Sequence, residues 1–196
     1  MSFDVDDVAR AARRLERALF SGDAASMRDA SRELDERRRR GEDVRVAFPS
    51  PHLVHAVAPD DDAAVALCRL LGDPGAFTPP LTWQESIRIG IDTMLRNGTD
   101  RCASVIASGI KVDEFDPIGA AREGVWWIWE RGLHAQSERA AATHFIEDLL
   151  DGKEEVRRST VEALRPWVDQ SEFASVVAQI LPHLSQPEKA YLIDDD

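Results

Sequence analysis

Residues able to do chemistry are scattered along this 196-residue chain instead of being gathered in a motif. His52 and His55 stand three apart, which would put both on one helix face, a spacing that some metal sites use. No acid or cysteine of matching spacing accompanies them, so surface or half-buried histidines are the better reading. His134, His144 and His183, with the acids Asp113, Glu114 and Asp116, contain the parts of a Ser/His/Asp or paired-carboxylate site. Such parts can be chosen freely from almost any acidic sequence, so His144 reads as a half-buried helix residue and the carboxylates as caps and solvated loop. Cys68 and Cys102 stand alone, without a CxxC pair or a His/Cys cluster, and read as small buried apolar residues. No catalytic, cofactor or metal residue is assigned, and a non-enzymatic role is favoured.

Charge and aromatic residues say more. The formal net charge is −12, and the 24 cations divide into 21 Arg and 3 Lys (Lys111, Lys153, Lys189). An acidic surface poor in Lys fits a high-salt cytoplasm, where screening weakens self-repulsion, although a GC-rich genome also replaces Lys by Arg. The same balance opposes non-specific attraction to nucleic acid. No run reaches the length of a membrane span, and the acidic start MSFDVDDVARAARR does not look like a secretory signal, so a cytoplasmic protein is expected. The run Arg37 to Arg40 could take phosphate or an acidic partner. The plainer reading is a set of cations favoured at a helix C-terminus and neutralised by Glu33, Asp35 and Glu36.

The elements that would carry these residues are helices. Val5, Val8, Ala12, Leu15 and Leu19 give residues 4–20 an amphipathic helical spacing, Ser21-Gly22-Asp23 reads as a turn with an N-cap, and a second helix carries Met27, Ala30 and Leu34 to about Arg40. Gly41 closes this N-terminal hairpin, residues 1–40. Val44 to Phe48 is the strand-like fragment, cut off by Pro49 and Pro51 and too isolated to found a sheet. Residues 41–80 otherwise suggest short helices from Pro51 and from about Asp60 to Leu71, then a Gly/Pro-rich break over 72–80, together a degenerate repeat at most.

From residue 81 to 196 the chain repeats. Arg88, Arg122 and Arg157 recur at spacings of 34 and 35, each followed by apolar or semi-apolar positions: Ile91, Met94 and Leu95; Val125, Ile128 and Trp129; Thr160, Ala163 and Leu164. Starts and stops agree with that period. Thr82 and Glu85 form a capping box, Asp116-Pro117 an N-cap with proline at the first turn, and Asn97-Gly98, Arg131-Gly132 and Arg165-Pro166 end the three first helices. A second helix follows in each copy, with Asp100, Ser137 and Ser171 as the expected N-caps. The last of these copies, Glu155 to Leu184, resembles a HEAT repeat: Val156-Arg157 and Ala163-Leu164 stand where that family has Val-Arg early and Ala-Leu late in its first helix. The likeness is fair over 82–150 and weak before. It implies an all-α fold, a short right-handed α-solenoid of HEAT-like helix pairs behind an N-terminal helical hairpin, with an acidic tail. Two departures are the tryptophans at 126, 127 and 129 and a longer inter-helix loop in the second copy.

HEAT-like stacks are mostly scaffolds or adaptors, so the resemblance implies a protein–protein interaction module that binds another protein or itself. The alternative from the same family is a nucleic-acid-binding protein resembling the HEAT-like DNA glycosylases, with no cofactor implied in either case. At 100° per residue, Trp127 points roughly 150° and Trp126 roughly 110° away from the apolar side of Ala121, Val125, Ile128 and Trp129. Trp126 and Trp127, with Arg88, Arg122 and Arg158 on the recurring register, are therefore the candidate partner-binding residues, Trp127 foremost. The recurring arginine reads more simply as pairing with an acid inside the stack.

Overall fold

The computed structural model describes residues 5–21, 23–47, 62, 65–66, 68–69, 77–78, 82–111 and 116–193. Contacts divide the chain into two units, Met1–Asn97 and Gly98–Asp196. The division falls between the two helices that the sequence pairs as its first repeat copy. Apart from one two-residue strand pairing, the described residues with regular structure are helical, and none of their helices is long and apolar enough to cross a membrane.

In the first unit, α1 (Val5–Ser21) and α2 (Ala24–Arg39) form the hairpin that the apolar spacing predicts. Ala11, Ala12, Leu15 and Ala18 of α1 and Met27, Ala30 and Leu34 of α2 are buried. Asp23 caps α2 by accepting from the N–H groups of Ala25 and Ser26 at 3.2 and 3.3 Å. The arginine run is neutralised locally: Arg37 pairs with Glu33 and Glu42, Arg39 with Asp35, and Arg40 with Glu42. Asp35, buried on α2, also accepts from Arg69 at 3.0 Å, so two guanidinium groups compensate its desolvation.

Asp62, Val65, Ala66, Cys68 and Arg69 are helical, in keeping with the helix predicted from Asp60 to Leu71. The helix predicted from Pro51, with His52 and His55, lies outside the described residues. The strand-like fragment contracts to β1 (Val46–Ala47), which packs on α1 and pairs in parallel with β2 (Phe77–Thr78), Val46 opposite Phe77. Next, α3 (Trp83–Asn97) begins at the predicted capping box, with Glu85 accepting from the Thr82 N–H at 2.9 Å and Thr82 accepting from the Glu85 N–H at 3.2 Å. Thr93, the polar counterpart of Trp127 in this copy, is buried and donates its hydroxyl to Ile89 O at 2.9 Å.

The second unit alternates its helices between two layers. One layer holds α4 (Asp100–Lys111), α6 (Gln136–Leu150) and α8 (Ala174–Ile180); the other holds α5 (Pro117–Arg131), α7 (Glu154–Leu164) and α9 (Gln186–Ile193). Within a layer α4 packs on α6 and α6 on α8, while α5 packs on α7 and α7 on α9. Polar contacts show that α5 and α7 run in the same direction: Ser159 meets the Ile118 carbonyl and Glu162 meets Arg122, so both helices advance together. Consecutive helices run oppositely, since Arg131 pairs with Glu138 while a Cβ at Gly124 would lie 3.0 Å from Phe145.

The core of this unit is Val125, Ile128, Phe145, Ile146, Leu149, Val156, Leu164, Trp167 and Phe173, the last two with ring centroids 4.5 Å apart. Asp116 caps α5 through the Gly119 N–H at 2.9 Å, and Gly98 and Gly132 adopt the positive φ their stop positions require. The other second-helix caps differ from expectation. Thr99, not Asp100, accepts from the Cys102 N–H at 3.2 Å. Glu138, not Ser137, covers the start of α6, taking the N–H groups of His134 and Ala135 at 2.6 and 3.1 Å. Ser171 lies in a turn three residues before α8 and does not cap it with its side chain. After α7 the chain continues as a 3-10 turn, Arg165–Trp167, where the sequence predicts a stop.

Candidate partner-binding surface

Small residues set the direction in which the tryptophans of α5 point. Ala120, Ala121, Gly124, Val125 and Ile128 are all buried. Counting Ala120 and Gly124 rotates the buried arc by roughly 50° from the one centred on Ala121 and Trp129, which puts Trp126 about 170° from its middle and Trp127 about 90°. Trp126 is accordingly the outward indole, 39% exposed, and Trp127 is half-buried, as is Trp129. The expected facing is thus corrected, Trp126 and not Trp127 being the more exposed indole, and the missing side chain at Gly124 lets Phe145 close against α5.

Arg122 stands one turn before Trp126 and donates to Glu162 of α7 at 3.3 Å; with side chains 59% and 45% exposed, this pair orients more than it stabilises. Arg157, the equivalent of Arg122 one copy on, is held far more firmly. Its Nε and Nη2 meet Glu188 of α9 at 2.7 and 2.9 Å, its Nη1 donates to the Leu150 carbonyl at 2.9 Å, and Nη2 also donates to that of His183 at 2.7 Å. This fork lowers the Glu188 carboxyl from its ordinary 4.5 to about 2, with help from the Ser185 N–H, and raises the Arg157 guanidinium in turn. The reading of the recurring arginine as an ion-pair residue therefore holds at Arg122 and Arg157, which removes both from any free cationic cleft. Arg88 lies in the first unit, half-buried and with an interaction partner of its own.

Between α7 and α9 a groove of about 360 Å³ opens, lined by Glu154, Arg157, Arg158, Val161, Glu162, Pro187, Glu188 and Tyr191. Val161 forms its buried floor, Arg158 is exposed on its wall, and the Arg165 guanidinium lies 5.3 Å from the centre of the Tyr191 ring. Glu162 belongs both to this groove and to the Arg122 pair, so Trp126, Arg122, Glu162, Arg158 and Tyr191 form one continuous band. Sequence reasoning named three of the five. Tyr191 and Glu162 had no signal of their own; an isolated tyrosine in a short terminal helix is defined only by what packs beside it.

The histidines assemble differently. Ser104 Oγ of α4 and His144 Nε2 of α6 are 3.1 Å apart, and His183 Nε2 lies 3.2 Å from Glu147. Glu147 stands 3.9 Å from His144 Nδ1, beyond hydrogen-bond reach, and the N–H groups around Ser104 are committed to the α4 ladder, so orienting acid and oxyanion donors are not in place. Among the described residues no group of three His, Cys, Asp or Glu side chains could hold a metal ion, and Cys68 and Cys102 are buried free thiols. Asp116 serves as a cap, while Asp113 and Glu114 lie outside the described residues.

No protein-family model, curated protein or solved structure matches the chain.

Proposed function

We propose that the chain is a non-enzymatic protein–protein interaction module, a short right-handed α-solenoid of HEAT-like helix pairs that binds a protein partner through the outer face of the α5, α7 and α9 layer. The observation that carries this reading is where exposed apolar bulk collects. Among the described residues the exposed large hydrophobic side chains are Trp126, Tyr191 and Ile193, and all three belong to helices of that one layer. A half-exposed indole is costly to leave in water and is enriched at binding hot spots. Same-direction packing of alternate helices supports the solenoid architecture, since stacked pairs bring first helix onto first helix and second onto second. The ion pairs of Arg122 and Arg157 support a protein partner over a nucleic acid, because both cations already have carboxylates.

Affinity purification of the full chain from its own host tests the proposal when run in parallel with Trp126→Ala and with Arg13→Ala, a surface change on α1. The expected result is a reproducible partner, or self-association in light scattering, that Trp126→Ala loses and Arg13→Ala keeps. Indistinguishable profiles for all three proteins would overturn the reading.

A further inference from the structure

Of the seven arginines in the second unit, Arg122, Arg131, Arg139 and Arg157 each have a side-chain hydrogen bond or ion pair, and Arg101 also has an interaction partner. The guanidinium groups of Arg158 and Arg165 have neither a hydrogen bond nor an ion pair to any described residue; Arg158 lines the groove between α7 and α9, and Arg165 lies over the ring of Tyr191, which also lines it. The reason is local competition. Glu188 is taken by Arg157 and Glu162 by Arg122, while Glu154, one turn before Arg158, makes no ion pair with it. In a chain of net charge −12 this leaves two guanidinium groups available beside the apolar surface of the groove.

We infer that the groove binds an acidic protein segment in which two carboxylates flank an apolar side chain, an assignment that rests on the interaction-module reading and names its partner's chemistry. Arg158 and Arg165 are seven residues apart, two turns on one side of α7 and its 3-10 extension, about 10 Å along the axis at 1.5 Å per residue. An extended segment turns every second side chain to one face, so acids four residues apart, about 13 Å at about 3.3 Å per residue, face the groove together with the residue midway between them, within the reach of the two long guanidinium side chains. The apolar residue between the acids sits over Val161 and against Tyr191, in a groove whose 360 Å³ reaches the lower range of ligand pockets. Guanidinium groups recognise carboxylates in paired hydrogen bonds, and Arg165 lies over the Tyr191 ring at the side of the groove.

The test is selection of a displayed library of random twelve-residue peptides on the full-length protein, followed by affinity measurement of synthetic versions of the winners. Arg158→Glu, Arg165→Glu and Tyr191→Ala are exposed changes whose folding is checked by circular dichroism. The expected winners carry Asp or Glu four apart with an apolar residue midway between them, bind at least about tenfold more weakly to the double Arg158→Glu, Arg165→Glu protein, and weaken as salt rises. Replacing their acids by Lys restores binding to that double variant. Winners without acidic enrichment, or equally tight on both proteins, overturn the inference, as does a library that yields none. Winners lost by Trp126→Ala yet indifferent to both arginine reversals overturn the groove alone and leave the interaction-module reading standing. Competition by inorganic phosphate or single-stranded DNA in place of acidic peptide assigns the arginines to another ligand and likewise overturns it.

Discussion

Replacing Glu188 by glutamine is the sharpest test of how the end of the second unit is held. Glu188 does two jobs at once: it takes the Arg157 fork, and it accepts from the Ser185 N–H at 2.7 Å as the acid of a capping box at the start of α9. The substituted amide can still accept one hydrogen bond but carries no charge. Holding the carboxyl at about 2 instead of 4.5 is worth about 3 kcal/mol, at roughly 1.36 kcal/mol per pH unit. Since 22% of the side chain is exposed, water screens part of this, and about 2 kcal/mol is the expected difference between wild type and Glu188→Gln near neutral pH.

The pH dependence carries the sign. A carboxyl whose folded-state value is depressed contributes its full stability above about 4.5, where both folded and unfolded forms are ionised, and loses it as pH falls from about 4.5 towards 2. The wild type should therefore converge on the variant across that window, and the gap should be flat above it. Urea unfolding followed by tryptophan fluorescence is well suited, because Trp126, Trp127, Trp129 and Trp167, four of the five tryptophans, lie in this unit. A gap that stays constant from about pH 7 down to about pH 2.5, or widens on acidification, would refute the claim that the Arg157 fork is what depresses Glu188.

Other substitutions probe the backbone and core. Gly132→Ala should cost about 1–3 kcal/mol in thermal unfolding, because φ there is +79° and the new Cβ would lie 2.8 Å from the Glu172 carboxylate that accepts the Leu133 N–H. Gly109→Ala, in the last turn of α4 with nothing within 4 Å of its Cβ, should instead stabilise by about 0.5 kcal/mol. Trp167→Phe should cost less than about 1.5 kcal/mol while Trp167→Ala costs about 3–5, since the fully buried Trp167 Nε1–H has no acceptor among the described residues and Phe removes that orphan along with little volume.

The helices of the second unit were legible because punctuation and periodicity agree there: Asp116-Pro117, Arg131-Gly132 and the apolar rows of α5 and α6 all survive in the structure. The caps before α4, α6 and α8 were not. Several of Thr99, Asp100, Ser137, Glu138 and Ser171 have a suitable side chain, and which one acts depends on where the backbone leaves the helix, which side-chain type does not reveal. The pairing of Val46–Ala47 with Phe77–Thr78 was equally hidden, because two residues carry no period. The facing of the tryptophans failed for a third reason. Ala120 and Gly124 are nearly neutral on a hydropathy scale, yet their lack of bulk is what brings α5 against Phe145, and close approach decides rotation more than apolar count does.

One regularity links the repeat to the surface. Contacts between alternate elements of the second unit fall at separations of 40 (Ser104–His144), 41 (Ile118–Ser159), 40 (Arg122–Glu162) and 39 (Leu133–Glu172), while the sequence period is 34 to 35. An arginine on the recurring register therefore needs an acid about 40 residues on, and Arg122 has one in Glu162. Arg157 finds its acid after only 31, because α8 has 7 residues where α6 has 15 and α9 follows sooner. That shortened step brings Glu188 onto Arg157 alone. Arg158, one position later and turned about 100° outward, makes no ion pair with a described acid of α9, so the stacking period that satisfies its neighbour leaves this cation lining the groove.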